Sequence, residues 1–469
     1  MIVVGRNSEI SWQNWAGNVR GGRAAVLYPR TLKDVREIFQ NANDGGIKLR
    51  FAGSGHSGSP LVPPGYENGW IVDTRFLRVD PPISLDYKTG LATVSGPLAI
   101  ARLFKILAAA GWNFPNHGDS KCQTVAGALS TGTHGSAMNF GSYGHESVLI
   151  GLTLVFPNGE TRNLNASRDS DRALLEAARL NLGLLGFVQD VTVQLERYTN
   201  LKLVGKKASL QEVLGAKPWE NFQHCEVAYF PFRDSVGGKD LSCIVFTRER
   251  TEEPALSGVS IGMMRAISDI GENELAGILL GAASLYPSLV PLMSNTFYRT
   301  LPRAVSDVNE AYRIATKRRN TPVRLSEWAI PIENLELAFG VFWEVVHSFA
   351  KRGIYFSNLP AQVRFEEGPK KVLLSPTLGR KVCWFGFGSH PNHPGWEEFI
   401  EVLGREFIRL DGLPHWGKEF PETLGPDIRA RYERDGKRIA EFEGVRMACD
   451  PNGILLNRML ESILTGTHP

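Results

Sequence analysis

The sequence predicts an α+β protein, and two observations carry that expectation. Through about residue 197, short helical patterns are mixed with short strand-like runs. Beyond residue 200, strand-like segments alternate with longer helical stretches. Two loops of small residues interrupt the first part. One is Arg50-Phe51-Ala52-Gly53-Ser54-Gly55-His56-Ser57-Gly58; the other runs from Thr124 to Ser136. Backbone amides in such loops can cradle a large phosphate-bearing cofactor. His56 stands where a ring nitrogen can bond to it.

The elements follow in order. Thr31 caps a helix over Leu32–Phe39, because Leu32, Val35, Ile38 and Phe39 share one face. Ile47–Ala52 is a strand leading into the first loop. Trp70–Asp73 and Ala92–Ser95 are further strands. Leu98–Ala110 is helical and Gly111 stops it. Val148–Phe156 is an apolar, β-rich run, and Pro157-Asn158-Gly159-Glu160 turns it into another strand. Leu174–Leu180 is helical, and Val191–Leu195 is a strand. Later strands include Val227–Phe230 and Ile244–Phe246. Residues 254 to about 303 read as an insertion.

The first loop literally spells G-x-G-x-x-G at Gly53, Gly55 and Gly58. A dinucleotide fingerprint needs a helix to open directly after the glycines. Here Pro60, Pro63 and Pro64 follow and forbid one. What survives is an anion-binding turn, or else a Gly-rich turn with a surface histidine.

Composition bounds the function. The 469 residues are 43% hydrophobic and 22% charged, enough for a large core without metal or disulfide staples. A net charge of +3 is too small to imply a nucleic-acid or membrane surface. Cys122, Cys225, Cys243, Cys383 and Cys449 are scattered and odd in number, against a disulfide framework or a zinc site. The opening Met1–Arg6 is too short for a basic-then-apolar leader, so a cytoplasmic protein is expected. Leu275–Tyr298 carries no charge over 24 positions, but Pro287, Pro291 and several polar residues dilute it. It reads as a buried helix plus a turn, with a membrane-surface contact as the alternative.

Five motifs occur in a fixed order: Gly55-His56-Ser57, Ala126–Gly135, Trp328-Ala329-Ile330-Pro331, Pro414–Lys418 and Asp450–Asn457. Together the chain resembles the aldonolactone and alditol oxidases, flavoproteins of the vanillyl-alcohol-oxidase type, over nearly its whole length. The resemblance implies a PCMH-type FAD-binding domain over 1–197 and an α+β substrate-binding cap over 198–420. Residues 421–469 would return to the FAD domain. It implies FAD, carried covalently by His56, and hydride transfer from a carbinol carbon of a sugar-derived alcohol. Oxygen is the expected acceptor. No metal and no nucleic acid are expected, and the oligomeric state is open.

Gly53, Ser54, Gly55, Ser57, Thr131, Gly132, Thr133 and Gly135 are the expected pyrophosphate and flavin contacts, against a reading as ordinary turns. Thr124, Gly127, Ser130, Gly186 and Val188 join them as cofactor-binding candidates. His134 is expected to be buried beside the flavin. Gly118 and Asp119 sit where the family places residues near the flavin edge, and a small residue there leaves a path for oxygen. Cys122-Gln123-Thr124-Val125 is similar to the C-x-T-V of berberine-bridge-type oxidases, whose cysteine makes a second bond to the flavin. An unreactive small side chain is the alternative for Cys122.

Lys418 is the expected cation near the reduced flavin, because a fixed positive charge stabilises the negative charge that hydride brings. A surface lysine is the bland alternative. Arg364 matches the arginine of the family's E-x-R, but Gln362 replaces its glutamate. Glutamine orients a hydroxyl but cannot take its proton. Three explanations stand side by side: another substrate, another base (His390, Glu327 or Glu366), or slow turnover. An aldonolactone or polyol oxidase is the leading expectation. A flavin enzyme for another alcohol or amine is the second, and a flavin-binding protein with lost catalysis the third.

Overall fold

The computed structural model describes residues 12–66, 69–235, 237–255, 281, 283–316, 321–436 and 438–466. Met1–Arg6 and most of the first half of Leu275–Tyr298 lie outside the described residues or at their edge.

The helix expected after Thr31 spans Leu32–Gly45, with a Thr31/Asp34 capping box at its start. Val35, Ile38, Phe39 and Ala42 are its buried face, and Gly46 closes it in the left-handed conformation. This helix crosses over a three-stranded parallel sheet ordered Ala25–Leu27, Trp70–Asp73, Leu49–Ala52. The first small-residue loop leaves the end of Leu49–Ala52. Among the described residues no helix lies between Gly58 and the next strand, Trp70–Asp73. The prolines therefore act as the sequence predicted.

A five-stranded antiparallel sheet follows, ordered Ile83–Leu85, Leu91–Ser95, Phe187–Gln194, Leu149–Val155, Thr161–Asn165. The helix Ile100–Ala109 and the short helix Val125–Ser130 pack on it through Leu103, Phe104, Ala128 and Leu129. The second small-residue loop supplies Val125–Ser130 and the turn after it.

An eight-stranded antiparallel sheet fills the rest. Its order is Ala304–Glu310, Asn200–Ser209, Leu241–Thr251, His224–Tyr229, Ala361–Glu367, Lys381–Ser389, Arg324–Pro331, Leu413–Pro414. Period-two alternation gives its inner strands two different faces. Tyr229, Phe385 and Phe387 pack against the helices Leu335–Lys351 and Trp396–Arg409, with the Phe339 and Phe385 rings 5.2 Å apart. Each such side chain contributes about 1.5–3 kcal/mol through burial. The opposite face carries Glu327, Trp384, Gln362, Arg364, Glu226 and Arg248, as their pairings require.

One expectation is corrected here. The described end of Leu275–Tyr298 is a short turn and the helix Val290–Thr300. Val290 and Tyr298 are buried, but Leu285, Tyr286, Leu289 and Leu292 are exposed. Uncharged length reported on proline spacing and small residues rather than on burial. No described helix is long and apolar enough to cross a membrane.

The C-terminal helices Gly425–Arg434, Arg438–Cys449 and Arg458–Thr465 pack together. The turn between the last two reaches the first sheet, where Leu49 N–H donates to the Ile454 carbonyl at 2.7 Å. Asn457 Nδ2 donates to the Pro60 carbonyl at 2.7 Å and the Pro63 carbonyl at 3.0 Å.

Candidate active site

Both small-residue loops open onto one cleft. It encloses about 1610 Å³ of space between protein atoms, part of it open to solvent. Gly53, Ser54, Gly55, His56 and Ser57 line it from the first loop. Thr124, Gly127, Ser130, Thr131, Thr133 and His134 line it from the second, and Asp119 from the segment just before it. Gly186, Val188, Arg364 and Lys418 complete the predicted residues that reach it.

Backbone approach explains the glycines. A side chain on Gly53 would collide with the Thr124 hydroxyl, so only glycine lets the two loops touch. Gly55 has φ +69°, and its carbonyl accepts from Trp15 N–H at 2.8 Å. Trp15 also packs on the His56 ring, with centroids 5.2 Å apart. Asn14 and Asn18 side-chain amides hold the Ser57 and Gly58 carbonyls at 2.8 and 2.9 Å. A broad cleft walled by close backbone and hydroxyl groups fits a dinucleotide such as FAD.

Five predicted residues do not line the cleft. A side chain on Gly132 would meet Leu180, and one on Gly135 would run into Asn116 and the His117 carbonyl. These glycines serve packing behind the loop. Gly118 lies against Thr133, and its N–H donates to the Tyr143 hydroxyl at 3.0 Å. It stands behind Thr133, which lines the cleft. Cys122 is half-buried between Ser120 and Gln123, which line the cleft while it does not. Gln362 shares the polar sheet face without reaching the cleft wall.

That sheet face supplies the charged end of the cleft. Glu327, Gly386 and Gln362 stand in one cross-strand row. Gly386 leaves a notch in that row; a Cβ there would lie 3.5 Å from Glu327 Oε1. The Glu327 carboxylate leans across the notch and forms a buried ion pair with Arg364 Nη2. His134 Nε2 is 3.5 Å from the same carboxylate, and its Nδ1 faces the Gly135 carbonyl at 3.0 Å. The His134 ring stacks on Trp384, with centroids 4.2 Å apart.

Burial alone would raise the Glu327 pKa, but Arg364, His134 and Lys418 outweigh it and hold the carboxyl well below its usual range. Burial would lower the Arg364 pKa, yet Glu327, Asp119 and Glu226 hold it above its usual value. Both groups are therefore charged at neutral pH. Of the alternative bases, only Glu327 lines the cleft. Glu366 is buried and accepts from Trp384 Nε1 at 2.6 Å and Thr377 Oγ1 at 3.0 Å. His390 caps a turn, its Nδ1 accepting from Asn392 N–H at 3.3 Å.

The segment His415–Lys418 is wedged between the loops. Gly58 N–H donates to the Gly417 carbonyl at 2.9 Å, and the Ser59 hydroxyl donates to the Trp416 carbonyl. His415 N–H donates to the Glu327 carbonyl at 2.9 Å. His415 Nδ1 accepts from Gly417 N–H at 3.0 Å, and burial pushes the ring's pKa down to about 3. Ligand atoms of His134, Glu327 and His415 lie within 4.8 Å of one another. Arg364 and Lys418 already neutralise that carboxylate, which opposes a metal cation there.

Two residues were missed by sequence reasoning. Arg324 forms a buried pair with Glu419 beside Lys418. Arg50 is buried against the cleft and donates to the Leu61 carbonyl at 2.8 Å, the Leu455 carbonyl at 2.6 Å and the Leu182 carbonyl. A lone arginine in a strand gives no sequence signal for such a role.

The buried histidines set an acid limit. Burial pushes His117, His224 and His415 down to about 3. As pH falls below about 6.5, the unfolded chain takes up these protons first. Each histidine then removes about 1.4 kcal/mol of stability per pH unit until the folded-state value is approached. The melting temperature is expected to fall clearly between pH 7 and pH 5.5. A flat profile over that range would show that the rings are protonated in the folded protein.

The sequence profile described as D-arabinono-1,4-lactone oxidase matches residues 191–463, more than half of the chain. The chain belongs to this family. A profile described as FAD binding domain matches residues 23–165, which contain both loops. An L-gulono-1,4-lactone dehydrogenase of Mycobacterium tuberculosis is 26% identical over 97% of this chain and 99% of its own. An L-gulonolactone oxidase of Scyliorhinus torazame is also 26% identical, over 96% and 97%. The cholesterol oxidase of B. sterolicum superposes with a TM-score of 0.77 at 17% identity, over 99% of this chain and 97% of that one. This likeness shows the PCMH-type fold. The family member described here is thus an FAD-dependent oxidoreductase acting on CH–OH groups, with its FAD-binding fold in the N-terminal part.

Proposed function

We propose that this protein oxidises a carbinol of an aldonolactone, with oxygen as the final acceptor and FAD attached through His56. The observation that carries the reading is the Glu327–Arg364 pair with Lys418, set at the wall of the same cleft as His56. Lactone-oxidising relatives that align over nearly the whole chain support the substrate class.

Bound FAD supplies the hydride acceptor. The protein's own residues do the rest. Arg364 and Lys418 place two fixed cations where negative charge arrives. Glu327, held ionised, orients the Arg364 guanidinium and offers an acceptor to a substrate hydroxyl. Gln362 lies short of the cleft wall, so the substrate hydroxyl is oriented by Glu327 and Arg364 instead. A strongly held carboxylate is a weak base, so proton loss would be assisted by charge rather than by a raised-pKa acid. His415 stays neutral and adds no third charge.

Domain limits at 197 and 420 belong to this reading, with the chain's last part returning to the first sheet. So does a cytoplasmic location, in keeping with the free thiols of all five cysteines. A second bond through Cys122 finds no support in its position. Its neighbours, not its own side chain, face the cleft.

The test is anaerobic bleaching of the flavin by L-gulono-, L-galactono- and D-arabinono-1,4-lactones beside a panel of polyols. Rapid bleaching by one lactone is expected. If dithionite bleaches the flavin and no lactone does, the substrate class is wrong. On a denaturing gel, flavin fluorescence should stay with the wild-type band and vanish in His56→Ala. Fluorescence persisting in that variant would overturn attachment at His56.

A further inference from the structure

The polar face of the eight-stranded sheet carries more charge than the cleft needs. Glu226 stands directly opposite Arg364 on the neighbouring strand. Arg248 Nη2 donates to Glu226 Oε2 at 3.0 Å, and both side chains are buried, with exposures of 5% and 9%. The other Arg248 terminal nitrogen is 3.5 Å from Ser136 Oγ. Ser136 Oγ is in turn 3.3 Å from His224 Nδ1. Ser136 lies two residues beyond His134, the second-loop residue that meets Glu327.

These residues form a circuit, His134, Glu327, Arg364, Glu226, Arg248, Ser136, in which Arg364 and Glu226 are linked by strand pairing and charge attraction. It leaves the second loop at one residue and returns to it at another, spanning five strands of the sheet between. Two buried ion pairs of opposite sense sit side by side, Glu327 with Arg364 and Glu226 with Arg248. Such pairs contribute little net stability, because desolvation offsets attraction. Their geometric effect is larger. Arg364 is attracted by a carboxylate on each side, and Arg248 neutralises the second carboxylate so that it does not draw Arg364 away.

We propose that Glu226 and Arg248 are positioning residues. They fix the far side of the Arg364 guanidinium and tie it to the second loop, so that the substrate-facing charge and the cofactor-holding loop keep one relative geometry. This rests on the proposed role of Arg364 at the reacting end of the cleft. Its expected size follows from the sensitivity of oriented reactions to small displacements.

The test uses the flavin-loaded protein. Glu226→Gln alone leaves Arg248 buried without its partner and can unfold the chain. The informative variant is therefore Glu226→Gln combined with Arg248→Met, which removes both charges together. Its kcat per bound flavin with the lactone is expected to fall about 10- to 100-fold. Its flavin reduction potential should stay close to wild type, because net charge is unchanged. In Glu226→Gln, where it folds, the potential should move to more positive values, since one anion is lost. A folded double variant whose kcat stays within about twofold of wild type would overturn the proposal. So would a single variant whose potential does not move. The potential is titrated with dithionite and needs no substrate. A wrong substrate class would leave the shift intact while no lactone bleaches the wild type.

Discussion

Lys418→Met is expected to lower kcat by about 100- to 1000-fold while leaving the fold and flavin content intact. The substitution keeps most of the apolar stem and removes only the ammonium. The backbone around position 418 is fixed independently of that ammonium. Lys418 N–H donates to the His415 carbonyl at 2.9 Å, and the same loop is bonded to Gly58, Ser59 and Glu327. The lost term is therefore electrostatic. It acts at the wall of a cleft partly screened from water, where a fixed charge is worth far more than in solution. Stopped-flow bleaching by the lactone measures the effect without interference from oxygen. A rate within threefold of wild type would show that Lys418 does not act on the reacting charge. Lys418→Arg should recover part of the rate, since the charge is restored on a broader, planar head.

Glu327→Gln is expected to cost about 3–5 kcal/mol of stability, with loss of lactone oxidation. The Arg364 guanidinium would remain buried, 11% exposed, beside a neutral amide. Its other attraction, to Glu226, is shared with Arg248. Urea unfolding followed by tryptophan emission gives the stability change. The double variant Glu327→Gln with Arg364→Met separates the two effects. It should recover most of the stability, because no orphan charge is left, but none of the activity. Full activity in the single variant would remove Glu327 from the reaction.

Much of the candidate cleft was legible because glycine, hydroxyl and proline requirements are local. Gly53, Gly55 and His56 could be read from a turn that the prolines after Gly58 keep out of a helix. The helix after Thr31 and the strand Trp70–Asp73 were equally plain, since capping and short apolar runs act over a few residues. Glu327 was one of three candidate bases and could not be ranked. What singles it out is a notch at Gly386 on a neighbouring strand, and sheet pairing across 59 positions is not written in any local pattern. Gly118, Gly132 and Gly135 lie off the cleft wall for a different reason. Each is small for a local reason, but the constraint comes from Thr133, Leu180 and Asn116 behind the loop rather than from a ligand in front of it. Composition within a loop tells that space is scarce, not on which side. The uncharged run before Tyr298 misled for a related reason: absence of charge does not say what covers the surface.

Arg50, beside the first loop, bonds to the Leu455 carbonyl, and Gly58 bonds to Gly417. The walls of the cleft are thus joined by contacts spanning most of the polypeptide. During synthesis, the N-terminal half leaves the ribosome long before residues 415–457 are made. It can fold its sheets early but cannot finish the cleft. A chain truncated before residue 415 would lack both bonds and is expected to hold flavin poorly, which the yellow colour of the purified product measures. Residues 415–457 are thus as much a part of the cleft as the loop at residues 50–58, although they lie far apart in sequence.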